Sequence, residues 1–192
     1  MVNYPNKKKN NHYTSMIEGK HNTAHRGMNL EEDINLTNEY YLSHDIAVIH
    51  KKPTPIQIVK VSYPERSSAK IVEAYFRTPS TTDYNGIYKG KYIDFEAKET
   101  KSKTSFSLNN IHKHQIDHLI KVKNHGGISF LIIRFTTINK TFLLETQKLE
   151  EFLYNNERKS IPLSYINDNG YLINENYNPR LEYIKIVDEI MI

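Results

Sequence analysis

Thr81-Thr82-Asp83-Tyr84-Asn85-Gly86-Ile87-Tyr88-Lys89-Gly90-Lys91-Tyr92-Ile93-Asp94-Phe95-Glu96-Ala97-Lys98 reads as a β-hairpin, and the rest of the chain can be placed around it. Gly86 and Gly90 bracket aromatic and β-branched residues, and Lys89-Gly90 suits the turn between two short runs. Strand side chains alternate, so Tyr92, Asp94, Glu96 and Lys98 share one face while Ile93, Phe95 and Ala97 share the other. One face can bury itself against a core. The opposite face presents carboxylates and an ammonium, with Asp83 able to join them from the first run.

That grouping has a chemical use. Metal-assisted phosphodiester cleavage needs hard oxygen ligands for Mg²⁺, which binds through one or two carboxylates and keeps several waters. A neighbouring ammonium can stabilise the charge that builds on phosphorus. Asp83, Glu96 and Lys98 could fill these roles. The bare spacing of an Asp, a gap and Glu-x-Lys is also compatible with a solvated hairpin face.

Working outward, 192 residues suffice for one domain with a proper core. There is no cysteine, which excludes disulfides and thiolate metal sites and suits a reducing cytosol. The longest apolar run, around Ile128 to Ile133, is far too short to span a bilayer, so a soluble, intracellular protein is expected. Five cations against Glu18 in residues 1–26 account for the whole formal charge of +4. That segment reads as a disordered basic arm. Elsewhere positive charge is local: Lys51, Lys52, Lys60, Arg66, Lys70 and Arg77 face only Glu65 and Glu73. A basic segment beside an acidic site is what an enzyme acting on a polyanion needs.

Asn29 with Glu32 predicts a capping box, opening a helix with Leu30, Ile34, Thr37 and Tyr41 buried. Ile46 to Lys51 predicts a strand. Residues 56–77 read from composition as an ordinary pair of sheet strands with a polar turn. A helix is expected from about Ser107 to His125, with Leu108, Ile111, Leu119 and Val122 inward and Gln115 in the middle of that stripe. His112, His114 and His118 scatter around the wheel and predict a wet helix face. Ile128 to Phe135 suits a buried central strand, followed by a strand at Lys140 to Glu145. Thr146 is expected to cap a helix through about Asn155, residues 156–180 to be loop-rich, and Leu181 to Ile190 to close the fold. The order predicts an α/β protein with a central mixed sheet flanked by helices.

Longer strings carry more weight. Met1-Val2-Asn3-Tyr4-Pro5, Arg26-Gly27-Met28-Asn29-Leu30-Glu31 and His44-Asp45-Ile46-Ala47-Val48-Ile49-His50-Lys51-Lys52-Pro53-Thr54-Pro55 resemble the RecU family of Holliday junction resolvases. So do Ser80-Thr81-Thr82-Asp83-Tyr84-Asn85-Gly86, Tyr92-Ile93-Asp94-Phe95-Glu96-Ala97-Lys98-Glu99-Thr100 and His114-Gln115-Ile116. The resemblance implies a restriction-endonuclease-like core at residues 27–192, a homodimer, and Mg²⁺-dependent cutting of four-way DNA junctions in recombination and repair. It implies Thr81, Asp83, Glu96 and Gln115 as the metal-binding set and Lys98 as the transition-state stabiliser. It also turns residues 56–77 into a protruding β-hairpin stalk, with Arg66 handling the junction and Lys60 and Lys70 as further DNA contacts. Two more implications are the RecA recombinase as a partner and a place in the bacterial cytosol, at the nucleoid. A duplex-cutting nuclease of the same fold, or a non-catalytic DNA-binding or RecA-regulating protein, are the alternative readings.

Overall fold

A computed structural model describes residues 29–65, 68–77 and 81–190. The expected basic arm at residues 1–26 and the expected stalk contact Arg66 lie outside the described residues.

Helix α1 (Leu30–Ser43) starts as the capping box requires. Glu32 N–H donates to Asn29 Oδ1 at 2.8 Å, and the Asn29 N–H donates back to Glu32 Oε2 at 3.2 Å. Its predicted stripe of Leu30, Ile34, Thr37 and Tyr41 is buried. Strand β1 (Val48–Lys51) follows, then a hairpin of β2 (Ile56–Glu65) and β3 (Ser68–Phe76). These two strands form a sheet of their own. They are thus a pair of strands, as composition suggests, but stand apart from the main sheet rather than extending it.

The opening hairpin is β4 (Tyr84–Tyr88) and β5 (Lys91–Thr100). Lys89 and Gly90 both have positive φ, at 45° and 75°. A two-residue turn with both central residues left-handed matches the right-handed twist of the strands it joins. Gly86 is needed for a different reason: a Cβ there would lie 2.1 Å from the Val48 carbonyl oxygen, so its absence lets β1 approach β4.

Beyond β5 lie a short β6 (Ser105–Ser107), a 3-10 turn at Leu108–Asn110, and α2 (Lys113–Asn124). The expected helix from Ser107 begins six residues late. Ser105–Ser107 pairs instead with β9 (Ser160–Pro162), and the Ser107 hydroxyl accepts from Asn109 N–H. The chain then runs through β7 (Ile128–Phe135), β8 (Lys140–Glu145) and α3 (Thr146–Asn155). Thr146 does not cap α3, since Glu145 occupies that position and the Thr146 hydroxyl accepts from Ser129 Oγ at 2.8 Å. The expected loop at 156–180 contains β9, helix α4 (Leu163–Asn169) and β10 (Tyr171–Leu172); helix α5 (Tyr183–Ile190) closes the chain.

The main sheet has six strands in the order β1-β4-β5-β7-β8-β10. Only β5 and β7 pair in parallel, with Glu96 beside Leu131; the other pairings are antiparallel. One face packs Ile49, Phe95, Phe130 and Leu143 under α1 and α5. The other packs Leu131, Ile133 and Leu144 under α2, α3 and α4. On the first face the rings of Tyr84, Phe95 and Phe130 stack across three strands at 4.9 and 4.8 Å. Such offset ring contacts add stability beyond area burial and hold β4, β5 and β7 in register. Alternation then sends Asp94, Glu96 and Lys98 to the opposite face, toward α2.

Candidate active site

Asp94 and Glu96 are both fully buried, so the charged strand face is not an open surface: α2 covers it. Glu96 is held from three sides. Gln115 Nε2 donates to its Oε1 at 2.8 Å, the Asp83 N–H donates to its Oε2 at 3.0 Å, and the Lys98 ammonium pairs with Oε1. The same ammonium lies 3.7 Å from Asp83 Oδ2. Asp83, Glu96, Lys98 and Gln115, picked out on separate stretches of sequence, thus converge.

Two carboxylates share one ammonium here, and the electrostatics register the deficit. Burial, followed by the Asp83 charge, pushes the Glu96 carboxyl up to about 7, with Lys98 pulling it back. Burial works to lower the Lys98 ammonium, but its hydrogen bond to Glu96 and the charges of Glu96 and Asp83 outweigh this and hold it above the ordinary lysine range.

A cleft of about 310 Å³ opens beside these groups, lined by Glu31, Asp83, Lys98 and Glu99 among others. A second, also about 310 Å³, is lined by Glu31, Lys51, Lys52, Thr81 and Asp83 and reaches Pro53 to Pro55, where the chain leaves for the stalk. Thr81 stands on this second wall. Glu31, at the border of the α1 stripe, lines both clefts, as Asp83 does, and pairs with Lys51.

The carboxylates fit Mg²⁺. Asp83 and Glu96 around one ammonium leave a net negative charge that suits a hard cation, with waters and substrate oxygens completing its shell, while Thr81 is brought only to the second cleft, beside Asp83. Among the described residues no group of three or more His, Cys, Asp or Glu could hold a metal. Gln115 has a particular geometry. It is the third residue of α2, and its Oε1 accepts the His112 N–H at 3.0 Å, which leaves the NH₂ group facing Glu96. In this arrangement it orients Glu96 and ties the start of α2 to β5.

Sequence reasoning missed the group around Asp94. His118 does not sit on a wet face, since its Nε2 lies 3.2 Å from Asp94 Oδ2. Lys52 Nζ donates to Asp94 Oδ2 at 2.8 Å and Tyr92 OH donates to it at 2.7 Å, while the Thr82 hydroxyl donates to Oδ1. The available signal was the period-2 placement of Asp94 beside Glu96. Apart from Tyr92 on the same strand face, its partners Lys52, Thr82 and His118 come from three other segments and carry no local pattern. Of the stalk lysines, Lys60 and Lys70 are exposed, with Lys60 directly opposite Glu73 and Lys70 opposite Ser62.

Comparison with known proteins places these residues in a lineage. The family model described as "RecU: Recombination protein U" matches residues 25–189. A protein of Geobacillus sp. (strain WCH70) named Holliday junction resolvase RecU is 58% identical over 172 residues, covering 88% of this chain and 86% of its own. One of the same name from Bacillus thuringiensis (strain Al Hakam) is 52% identical over 198 residues, covering 98% of each chain. Among solved structures, Archaeoglobus fulgidus Hjc, a Holliday junction resolvase, aligns with a TM-score of 0.43 and 14% identity, covering 74% of this chain and 92% of that one. With a family model matched from residue 25 to 189 and relatives more than half identical along its length, the chain belongs to the RecU family.

Proposed function

We propose that the protein is an Mg²⁺-dependent endonuclease that resolves four-way DNA junctions by paired symmetric nicks. It acts as a homodimer, with residues 27–192 as the nuclease domain and the hairpin at 56–77 as its stalk. The observation that carries this reading is the convergence of Asp83, Glu96 and Lys98 beside one cleft in a chain of this family.

A divalent cation, when bound, neutralises phosphate charge and acidifies a water. The chain's own groups do the rest. Asp83 and Glu96 supply the anionic cradle, and Gln115 with the Asp83 N–H keeps Glu96 turned toward it. Lys98, kept protonated by its two carboxylate neighbours, is poised to stabilise the negative charge that builds on phosphorus. In-line attack by water breaks the bond between phosphorus and the 3′ oxygen, leaving a 5′-phosphate and a 3′-hydroxyl.

The stalk supports the dimer. Ile58, Val59, Val72, Tyr75 and Phe76 are about half exposed or more, and an isolated two-stranded hairpin is marginal in water. A second copy of the hairpin would cover these side chains. Two-fold symmetry would then present two identical sites to two strands of like polarity. A cytoplasmic location and RecA as a further partner belong to the same reading, the latter tested by capture of purified RecA on the immobilised protein.

The deciding experiment incubates the protein and Mg²⁺ with a four-way junction, a linear duplex and a single strand. Paired symmetric nicks confined to the junction are expected. Duplex cutting would replace this reading with a general nuclease, and junction binding without cutting would replace it with a binding protein.

A further inference from the structure

Asp94 is buried beside the proposed metal site, yet it is not aimed at the cleft. Its two oxygens are taken up by Lys52, Tyr92, His118 and Thr82, and with Lys52 as counter-charge it forms a neutral pair. Two of these partners, Thr82 and Lys52, are also tied to Asp83. Thr82 precedes Asp83 in sequence, and the backbone N–H of Lys52 donates to the Asp83 carbonyl at 2.8 Å. The Lys52 ammonium also donates to Thr82 Oγ1 at 2.9 Å.

Asp83 needs this support. The β4–β5 ladder ends at Tyr84 opposite Phe95, so Thr82 and Asp83 lie beyond regular pairing with β5, and on the other side Lys52 N–H carries the β1–β4 register only as far as Asp83. Continued register would set Thr82 opposite Ala97. Its hydroxyl instead reaches back to Asp94, so the chain turns away from the ladder at the residue that carries the carboxylate. Asp83 and Glu96 also repel each other, and the one Lys98 ammonium between them offsets only part of that repulsion. Groups that fix the ligands of a metal contribute to its affinity through geometry without touching the ion.

We propose that Asp94, acting through Thr82 and Lys52, is a positioning residue that holds Asp83 against Glu96 and thereby sets the divalent-cation affinity of the site. The inference rests on the reading of Asp83 and Glu96 as the metal site. Thr82 gives the cleanest test, because Thr82→Val removes the hydroxyl while keeping shape and charge, and Thr82→Ser restores it.

Mn²⁺ binding to the full-length protein, followed by the loss of the free-ion paramagnetic resonance signal, reads affinity independently of cutting. Thr82→Val and Asp94→Asn are expected to raise the Mn²⁺ dissociation constant about 10–100-fold, while Thr82→Ser stays close to wild type. The Mg²⁺ midpoint for junction cutting should move by the same factor. Melting in chelator reports folding separately; should Asp94→Asn fail to fold, the two Thr82 variants decide alone. A lower melting temperature with unchanged Mn²⁺ affinity overturns the proposal, because that is the mark of a structural role only. Wild-type protein that binds no Mn²⁺ overturns both this inference and the metal site. Weakened binding in the variants of a protein that cuts no junction would sustain this inference and sink the resolvase reading.

Discussion

Two buried charge clusters lie on opposite faces of the same sheet, and they are built to opposite ends. Under α1, Asp33 receives Arg134 at 2.7 Å and Arg180 at 2.9 Å, and Arg134 also reaches Glu175 at 3.3 Å and Thr141 at 3.0 Å. Two guanidinium groups meet two carboxylates. Toward α2, Asp83 and Glu96 meet Lys98 alone. The first cluster is neutral and joins α1, β7 and the segment before α5; the second is short by one positive charge and opens to a cleft. A buried charge is tolerated when paired and hydrogen-bonded, so the balanced cluster serves the fold. The unbalanced one carries a cost that a cation can relieve, and burial together with the Asp83 charge raises the proton affinity of Glu96.

The sharpest way to break this comparison is at the unbalanced cluster. Asp83→Asn or Glu96→Gln should lower the junction-cutting rate by about a thousandfold or more, with junction binding retained in a gel-shift assay. Mg²⁺-dependent nicking that survives in both variants would sink the site assignment. Lys98→Ala should cost about 10²–10³-fold in rate with little change in binding.

At the balanced cluster the loss should appear in stability. Arg134→Met leaves Asp33 and Glu175 short of a cation and should cost about 3–5 kcal/mol in chemical denaturation. An unchanged unfolding midpoint would mean that this cluster contributes nothing to the fold.

The two clusters should also differ in their response to pH. The folded protein holds a proton on Glu96 up to about 7, well above an ordinary carboxyl, so the stability this contributes is complete at low pH and is lost as pH rises through about 7. Glu96→Gln removes that loss. In chelator its melting temperature should exceed wild type by several degrees at about pH 8 and match it at about pH 4. A constant difference across the range would show that Glu96 is not the titrating group.

The smallest effect is expected from charges outside both clusters. Lys60→Ala with Lys70→Ala should weaken junction binding modestly and lower its salt dependence by about two ion equivalents, leaving melting unchanged. An unaltered salt slope would remove these two lysines from the DNA interface.

Much of the fold was legible because it rests on short-range rules. The alternation of Tyr92 to Lys98, the Lys89-Gly90 turn and the Asn29–Glu32 capping box each need only a few consecutive residues. Expectations failed where a distant partner won. Ser107 left the expected helix because β9 pairs with it from more than fifty residues away. Thr146 gave up its cap for Ser129, and the helix hidden in residues 163–169 is one short turn-rich stretch whose Ile166 is buried by tertiary contact. Residues 56–77 carry the composition of sheet strands; only their separation from the main sheet makes them a projection.

The sequence by itself determined which charged residues could stand together. Period-2 alternation put Asp94, Glu96 and Lys98 on one strand face, and the longer strings tied Thr81, Asp83 and Gln115 to the same site. Only the tertiary structure decided how those carboxylates differ. The parallel pairing of β5 with β7 and the docking of α2 bury both Asp94 and Glu96, but Asp94 has the Lys52 ammonium as its own counter-charge, whereas Glu96 shares Lys98 with Asp83. Charge balance in a buried site is a sum over segments far apart in the chain, and no local pattern reports it.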